Sequence, residues 1–452
     1  MVPAITSGLG TERATGSLSD YHGGSIMSVS ELLTTSLPSG RTSVALFVLA
    51  AVSATWQLTV FPGAGLGRYF ESVAVARSVA AGHGFANPFG ALETGPTAHL
   101  APLFPLALAG LIRIFGDSPA FATAAVMLCV LIHALHAVLL LPLSRLLLAD
   151  VRPGVWAAVF SAAVPTIPVL PQWEAIWSAV GSMLFCLATA RILRSARPFW
   201  MKGAVSGALC GILLLLNPAL AIVSGAWMAF LWFCQRRPLG GWVVCSLTFL
   251  AAAALVCLPW TLRNQRQLGA LFFVRDNFGL ELYTSNADCA DATSDANGRN
   301  GCHVLLQANF NTREAALVRD MGEVNYNRSR LAIAKRWIHD HPARFRELTL
   351  LRLKEFWFPT PGEAALYAYS VWTITALSLA GLYFMARAHN RAALAIVVVL
   401  ASYPVVYYFV QAAPRFRVPI LWMSLLPAGL AMQKAAAALV RSSSVRGKGA
   451  AS

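Results

Sequence analysis

The sequence predicts an all-α protein that crosses a membrane about ten times. Hydrophobic residues make up 57% of the 452 residues and charged residues only 12%, whereas a soluble domain carries about 25% charged residues. The apolar residues lie in continuous blocks of about 20 residues, which is the length that a helix needs to cross a bilayer. An outer-membrane barrel is excluded, because its strands would alternate apolar and polar residues.

Ten apolar blocks are long enough, or nearly so, to be membrane spans. They lie at residues 43–62, 119–147, 154–171, 174–193, 200–217, 219–235, 240–261, 365–386, 391–411 and 415–437. The short links between them hold most of the Arg and Lys residues, which mark the cytoplasmic side of a membrane. This sidedness puts both termini in the cytoplasm. It leaves two long segments outside, the first outer loop (residues 63–118) and the large loop (residues 263–364).

Within the first outer loop, residues 101–115 are apolar but form too short a block to be an ordinary span, and they contain two prolines. If this segment crossed the membrane, every later basic link would move to the outside. We therefore predict an interfacial or re-entrant segment that is buried against protein.

The chain divides into five regions. Residues 1–41 lack the basic start and apolar core of a signal peptide, so we expect a disordered cytoplasmic tail, with Met27 as an alternative start. The N-terminal transmembrane module (42–262), the large loop (263–364), the C-terminal transmembrane helices (365–437) and a basic cytoplasmic tail (438–452) follow. The net charge of +15 comes mainly from the links, so nucleic acid is not an expected partner.

The large loop is predicted to be ordered and mostly helical. Residues 312–340 show helical spacing, and a second helix is predicted at 343–358, after the break at His341-Pro342. Cys289 and Cys302 lie in this polar loop, and a disulfide between them is plausible if the loop is extracytoplasmic. No second Cys or His pair accompanies them, so no metal site is predicted.

Glu71 is the leading candidate for a catalytic residue. It begins a predicted helix just outside the first span, and a helix N-terminus favours the ionised carboxylate. Such a carboxylate can act as a general base that takes a proton from an incoming hydroxyl. The alternative is an acidic residue that only starts the helix, paired with Arg68 or Arg77.

Four other side chains are candidates for an acceptor or sugar pocket on the same face. Glu93 and His83 are also alternatives for the base, and His99 either binds the acceptor or lies at the interface. Glu174 stands at the edge of a span, where an ionisable side chain suggests a functional site, although its tryptophan neighbours are also typical of an interfacial belt.

Three arginines are candidates for binding a phosphate. Arg415 and Arg417 flank Phe416 at the outer end of the last predicted span, and Arg263 follows Pro259-Trp260 at the same face. The planar guanidinium donates hydrogen bonds in pairs and therefore suits phosphate. Anchoring to lipid head groups is the alternative for each of them.

Several motifs, taken together and in order, resemble the GT-C superfamily of integral-membrane glycosyltransferases, in particular its family 39-like members, which include protein mannosyltransferases and aminoarabinose transferases. The resemblance covers nearly all of residues 42–437. It rests on Glu71 with Ala76-Arg77-Ser78-Val79-Ala80 and Gly82-His83-Gly84-Phe85, Thr94-Gly95-Pro96-Thr97-Ala98, Pro102-Leu103-Phe104-Pro105, Arg263-Asn264, Arg275-Asp276-Asn277-Phe278-Gly279, Met321-Gly322-Glu323, His341-Pro342 and Pro414-Arg415-Phe416-Arg417.

The resemblance implies an inverting transfer of a sugar from a polyprenyl-phosphate donor to an extracytoplasmic acceptor, which would be a protein, a lipid or a glycan. An acidic residue of the first outer loop would be the base, and in this chain that role falls on Glu71. The donor is a substrate, no cofactor is expected, and no acidic cluster calls for a metal. The expected location is a bacterial inner membrane, with the active site in the periplasm and with membrane lipid, lipid-linked sugar and acceptor as partners.

Two other functions remain open from the sequence alone. A transporter or flippase for a lipid-linked substrate is one, although no inverted repeat is evident and a loop of about 100 residues is unusual for a carrier. A non-catalytic scaffold in the cell envelope is the other, because the first outer loop holds few acidic residues.

Overall fold

A computed structural model of the protein describes residues 40–60, 70–164, 171, 173–235, 238–362 and 365–449, with side chains described as far as residue 440. These ranges are helical without any strand, and isolated bridges join only Ala86 to Pro96 and Thr293 to Ala412. The predicted all-α class is therefore confirmed. The predicted tail up to residue 39, Arg68 and the link Arg236-Arg237 lie outside the described residues.

Nineteen α-helices occur in the described ranges. They are α1 Gly40–Val60, α2 Glu71–Ala80, α3 Leu103–Phe115, α4 Pro119–Leu148, α5 Arg152–Ala163, α6 Ala175–Arg194, α7 Phe199–Leu216, α8 Leu220–Cys234, α9 Leu239–Leu268, α10 Phe278–Ser285, α11 Ser294–Arg299, α12 Cys302–Leu306, α13 Thr312–Met321, α14 Glu323–Asp340, α15 Pro342–Trp357, α16 Ala365–Arg387, α17 Ala392–Ser402, α18 Val405–Phe409 and α19 Leu421–Gly449. Two 3₁₀ turns, Pro414–Phe416 and Val418–Ile420, precede α19.

Eight segments of the described chain are long and apolar enough to cross a membrane, so the polytopic class is confirmed. They are α1, α4, α6, α7, α9, α16, the pair α17–α18, and the 3₁₀ turns with α19. The other two predicted spans, 154–171 and 219–235, correspond to the shorter helices α5 and α8, and residues 165–170 of the first lie outside the described residues. Helices α5 and α8 have only 12 and 15 residues, and at 1.5 Å per residue they rise about 18 and 22 Å, less than the ~30 Å core of a bilayer.

Helix α3 is the apolar segment that the sequence assigned to the interface. Its 13 residues rise about 20 Å, which is too short to cross a bilayer. One face packs against α2 through Phe104 and Leu108, which contact Val73 and Ala76 in a shared core. This packing fixes the direction of α2, and therefore the position of Glu71 at its first turn.

Helices α7 and α9 pack with their backbones in direct contact. The approach is possible because Gly203, Gly207 and Gly211 recur every fourth residue along one face of α7. A Cβ atom on Gly207 would lie 2.1 Å from the carbonyl oxygen of Phe249, and one on Gly203 would lie 2.2 Å from that of Cys245. Such stripes of small residues allow helices in membranes to pack closely.

The large loop forms a helical layer over one end of the spans. The structure corrects one helix in it, because the predicted helix 312–340 is two helices, α13 and α14, separated at Gly322. The φ angle of Gly322 is +77°, a left-handed conformation that glycine adopts readily and other residues rarely do. Cys289 and Cys302 form a disulfide within this layer.

Buried Arg352 of α15 connects this layer to the ends of two other helices. Its guanidinium donates to the carbonyl oxygens of Ser285 and Phe409 and to Oδ1 of Asn286. The end of α10 and the end of α18 are therefore held together. The segment that follows α18 leads directly to Arg415.

Candidate active site

A cavity of about 590 Å³ lies between the first outer loop, the large loop and the adjoining ends of the spans. Its charged and amide side chains include Glu71, Glu174, Arg275, Glu281, Asn309, Gln411 and Arg415. Its aromatic side chains include Phe70, Trp173, Phe278, Phe310, Tyr403, Tyr407 and Phe416. A cavity of this size with an apolar wall and a few converging polar groups is typical of a small-molecule site.

Glu71 is held by partners on both of its carboxylate oxygens. Nδ2 of Asn309, in the large loop, donates to Oε1 at 2.7 Å. Nε2 of His99 lies 3.4 Å from Oε2. Because Asn309 is 238 residues away in sequence, the carboxylate connects the two outer loops. The helix start at Glu71 agrees with the sequence prediction.

The charges around Glu71 favour its anionic form and the cationic form of His99. Burial raises the pKa of Glu71, but the opposing effects of His99, Arg415 and Arg275 exceed it, so the net pKa is lowered. Burial lowers the pKa of His99, but Glu71, Glu281 and Glu323 outweigh it, so the net pKa is raised. Each group therefore favours the ionised form of the other, and the Glu71 carboxylate can accept hydrogen bonds.

Arg415 lies in the same cavity, and the N–H groups of its guanidinium are available to bind a ligand. The guanidinium carbon stacks 3.8 Å from the ring centre of Trp173 and 4.8 Å from that of Phe416. These contacts hold the plane of the side chain without using its N–H groups. In the part of the chain that the structure describes, no hydrogen bond or ion pair involves this guanidinium.

Arg275 and Glu174 form a second charged group in the cavity wall. Their closest charged atoms, Nη1 of Arg275 and Oε1 of Glu174, are 3.7 Å apart. Nε of Arg275 also donates to the carbonyl oxygen of His99 at 3.0 Å. Sequence reasoning did not single out Arg275, although it stands in one of the motifs that carry the resemblance.

Two predicted pocket residues do not reach the cavity. His83 and Glu93 are both exposed and do not line it. His83 follows the end of α2, where Gly82 and Gly84 have positive φ angles and turn the chain outward. Both residues therefore lie on the outer surface of the first outer loop, unlike His99, which is buried.

Arg263 is placed in a structural contact and does not line the cavity. Its Nη1 and Nη2 atoms each donate at 2.6 Å, to the carbonyl oxygens of Thr97 and Phe85. Its guanidinium also stacks 4.9 Å from the ring centre of Trp260. These contacts attach the first outer loop to α9 and leave little of the guanidinium for a ligand.

Arg417 lies in a different cavity from Arg415. It is 3% exposed, donates to Oγ1 of Thr375 at 2.8 Å and stacks 5.0 Å from the ring centre of Trp357. It borders a second cavity of about 1040 Å³ between residues 291–299, residues 359–362 and α16. Arg415 and Arg417 therefore line different cavities.

Three polar residues of the site came from the structure alone. Asn309 contacts Glu71, and Nε2 of His303 lies 2.8 Å from Oε1 of Gln411. Nothing in their local sequence distinguishes them from ordinary loop residues. Among the described residues, no three His, Cys, Asp or Glu side chains come together in an arrangement that would hold a metal ion.

Solved structures of an archaeal oligosaccharyltransferase share this fold. AglB from Archaeoglobus fulgidus, in complex with an inhibitory peptide and a dolichol-phosphate, aligns with a TM-score of 0.54 and 14% identity over 90% of this chain and 52% of its own. The A. fulgidus oligosaccharyltransferase in the apo form aligns with a TM-score of 0.52 and 13% identity over 89% of this chain and 52% of its own. Its complex with zinc and sulfate aligns with a TM-score of 0.50 and 14% identity over 87% of this chain and 49% of its own.

This chain therefore spans about half the length of those proteins. No protein-family profile matches the chain, and no curated protein sequence matches it. At 13–14% identity, the similarity is one of fold.

Proposed function

We propose that this protein is a membrane glycosyltransferase that moves a sugar from a polyprenyl-phosphate donor to an acceptor hydroxyl, with inversion at the sugar carbon. The observation that carries the proposal is the single cavity that holds the anionic Glu71 and the available guanidinium of Arg415. A base and an anion-binding group in one cavity meet the two requirements of transfer from a lipid phosphate. The oligosaccharyltransferase-like fold supports a glycosyltransferase in general.

Glu71 is the proposed general base. The acceptor hydroxyl oxygen attacks the anomeric carbon and forms the new C–O bond, while the bond from that carbon to the phosphate oxygen breaks. The hydroxyl proton passes to the Glu71 carboxylate, and polyprenyl phosphate leaves with the electron pair. General base catalysis of this kind contributes typically about 10²–10⁴-fold. His99 and Asn309 hold the carboxylate in place for the attack.

Arg415 is the proposed binding group for the donor phosphate, with Arg275 as a second positive charge in the same cavity. The guanidinium of Arg415 can donate two parallel hydrogen bonds to phosphate oxygens, and it stabilises the negative charge that develops on the phosphate as its bond to the sugar breaks. Arg263 and Arg417 are less suitable, because carbonyl and hydroxyl oxygens already accept hydrogen bonds from them. Glu174 remains a candidate for contacting the sugar or the acceptor.

The lipid nature of the donor is part of the proposal. The cavity adjoins candidate spans, so a polyprenyl chain can stay in the bilayer while its phosphate reaches Arg415. The complex of AglB with a peptide and a dolichol-phosphate supports a lipid phosphate and an acceptor as partners. We further propose a bacterial inner membrane, cytoplasmic termini and a periplasmic site, in which the sugar is a hexose or a pentose.

The experiment uses proteoliposomes that contain purified protein and radiolabelled polyprenyl-phosphate hexose or pentose. The proposal expects the label to move from the organic phase to an acceptor or, slowly, to water, with release of polyprenyl phosphate. Label that changes leaflet with its phosphate bond intact would instead identify a flippase and overturn the proposal. Lipid donor that binds without cleavage or movement, with every acceptor class supplied, would favour a scaffold.

A further inference from the structure

The segment that carries His99 is held in place by backbone contacts from two sides. The carbonyl oxygen of Thr97 accepts from Arg263 of α9, and that of Ala98 accepts from the amide of Asp276 at 3.0 Å. The carbonyl oxygen of His99 accepts from Nε of Arg275 at 3.0 Å. Residues 97–99, named here the histidine segment, are therefore positioned by α9 and by the start of the large loop.

Glu323 of α14 supplies a further contact with this segment, through a buried carboxylate. Its Oε1 accepts from the amide of Ala98 at 2.7 Å, and its Oε2 accepts from the hydroxyl of Thr97. Oγ1 of Thr97 in turn accepts from the amide of His99 at 2.9 Å. A continuous chain of hydrogen bonds therefore leads from Glu323 to the residue that is paired with Glu71.

The local structure aims Glu323 at the histidine segment. Glu323 is the first residue of α14, where the helix dipole favours a negative charge. The preceding residue, Gly322, has φ of +77° and ψ of 148°, a combination that is essentially confined to glycine. This turn leaves the Glu323 side chain only 4% exposed, facing the first outer loop rather than solvent.

We propose that Glu323 is a positioning residue for the transfer reaction, which acts by holding His99 against Glu71. The inference rests on the proposed function of Glu71 as the base. Glu323 does not line the cavity, so it acts through Thr97 and His99 and touches no substrate. When its carboxylate accepts both hydrogen bonds, the imidazole stays in place to fix the Glu71 carboxylate.

The charges that face Glu323 come from three elements. They are His99 in the histidine segment, Asp276 at the start of the large loop and Arg263 on α9. Burial raises the pKa of Glu323 to about 7, with Asp276 adding to the rise and with His99 and the two hydrogen bonds opposing it. A protonated carboxyl cannot accept both bonds equally well. The contact with the histidine segment therefore weakens as the pH falls below about 7.

The test compares kcat and KM for sugar transfer by wild type and Glu323→Gln between pH 5.5 and 8.5. Glutamine has one acceptor oxygen and an NH2 group, so the hydrogen bond that the Thr97 hydroxyl donates to the carboxylate is lost or reversed. We expect kcat to fall about tenfold or more at pH 8 with little change in KM, because a small misplacement of catalytic groups can cost about 10²-fold. The decline of wild-type kcat below pH 7 should be absent from the variant.

Glu314→Gln is the matched control. Glu314 is also a buried glutamate of the large loop, but it accepts from Arg330 and Tyr326 and does not contact the histidine segment. It should lower the thermal midpoint and keep the wild-type pH profile of kcat. If Glu314→Gln changed that profile as much as Glu323→Gln does, Glu323 would be merely structural and the proposal would be overturned.

Thermal unfolding gives a readout without substrate. The pKa of Glu323 in the folded protein lies above its ordinary value of 4.5, so stability that is present at low pH is lost as the pH rises through about 7. The wild-type midpoint minus the Glu323→Gln midpoint should therefore decrease from pH 5.5 to pH 8, and a constant difference would overturn the inference. If this decrease is seen but wild type transfers no sugar, Glu323 is the buried carboxylate that the structure shows, but the proposed function fails, and the positioning role fails with it.

Discussion

Replacing Arg415 with lysine is expected to weaken the binding of a polyprenyl phosphate by about 10- to 100-fold. Lysine keeps the positive charge but loses the planar fork, which is held over the ring of Trp173 at 3.8 Å. A hydrogen bond to a charged group contributes about 1.5–3 kcal/mol, and 1.4 kcal/mol corresponds to about a factor of ten in affinity. Loss of one of two parallel hydrogen bonds therefore gives this range.

Arg415→Gln should have a larger effect, because it removes the charge as well. The assay is equilibrium binding of unglycosylated polyprenyl phosphate to the protein in lipid nanodiscs, at fixed ionic strength. Arg319→Gln is the control with the same loss of charge, since Arg319 is half-exposed on α13 and paired with Asp320. The affinity of Arg319→Gln for the lipid phosphate should equal that of wild type.

The reasoning about Arg415 fails if Arg415→Gln binds the lipid phosphate as tightly as Arg319→Gln does. It also fails if the loss of affinity appears with Arg417→Lys and not with Arg415→Lys. Arg417 is buried among carbonyl oxygens and Thr375, so its substitution should lower the thermal midpoint and leave phosphate affinity nearly unchanged.

Three further outcomes are expected. Gly207→Ala should lower the free energy of unfolding by about 1–3 kcal/mol, because the added Cβ would lie 2.1 Å from a carbonyl oxygen of α9. Gly225→Ala is the control, since a Cβ atom there would meet open space and should not destabilise the protein. Thermal unfolding of the two variants makes the comparison. Cys302→Ser should lower the free energy of unfolding by roughly 2–4 kcal/mol, because it removes the disulfide with Cys289 that closes a loop. A reductant should lower the thermal midpoint of wild type but not that of the variant. The stability difference between wild type and His99→Gln should be largest between about pH 4.5 and 6.5, the ordinary pKa values of the two groups. It should shrink as the pH falls through the lowered pKa of Glu71 or rises through the raised pKa of His99, and a difference independent of pH would contradict the ion pair.

The sequence predicts those helices whose length, hydropathy or prolines mark them locally. Length and hydropathy predict the long spans, and the prolines with the short apolar block predict α3. Hydropathy also marks α5 and α8, which are apolar but shorter than the other predicted spans. The predicted helix 312–340 was wrong at Gly322, since helical periodicity continues across a residue whose left-handed backbone interrupts the helix.

The candidate site was predictable only in part. Glu71 stood out because it begins a helix next to a span, but its partners His99 and Asn309 are brought to it by the tertiary packing of two loops. Arg415 lies within the first 3₁₀ turn, whereas Arg417 lies between the two turns, at the end of the first and the start of the second. The two side chains line different cavities, which the spacing of the arginines in the sequence does not reveal.

The central claim is that Glu71 is the base of a sugar transfer, and the most direct test is transfer in proteoliposomes by Glu71→Gln. Glu93→Gln is the control, because Glu93 is an exposed glutamate of the same loop outside the cavity. We predict that wild type and Glu93→Gln transfer sugar alike. Glu71→Gln should be slower by about 10²–10⁴-fold, with wild-type affinity for polyprenyl phosphate. Transfer by Glu71→Gln at the wild-type rate would contradict the account.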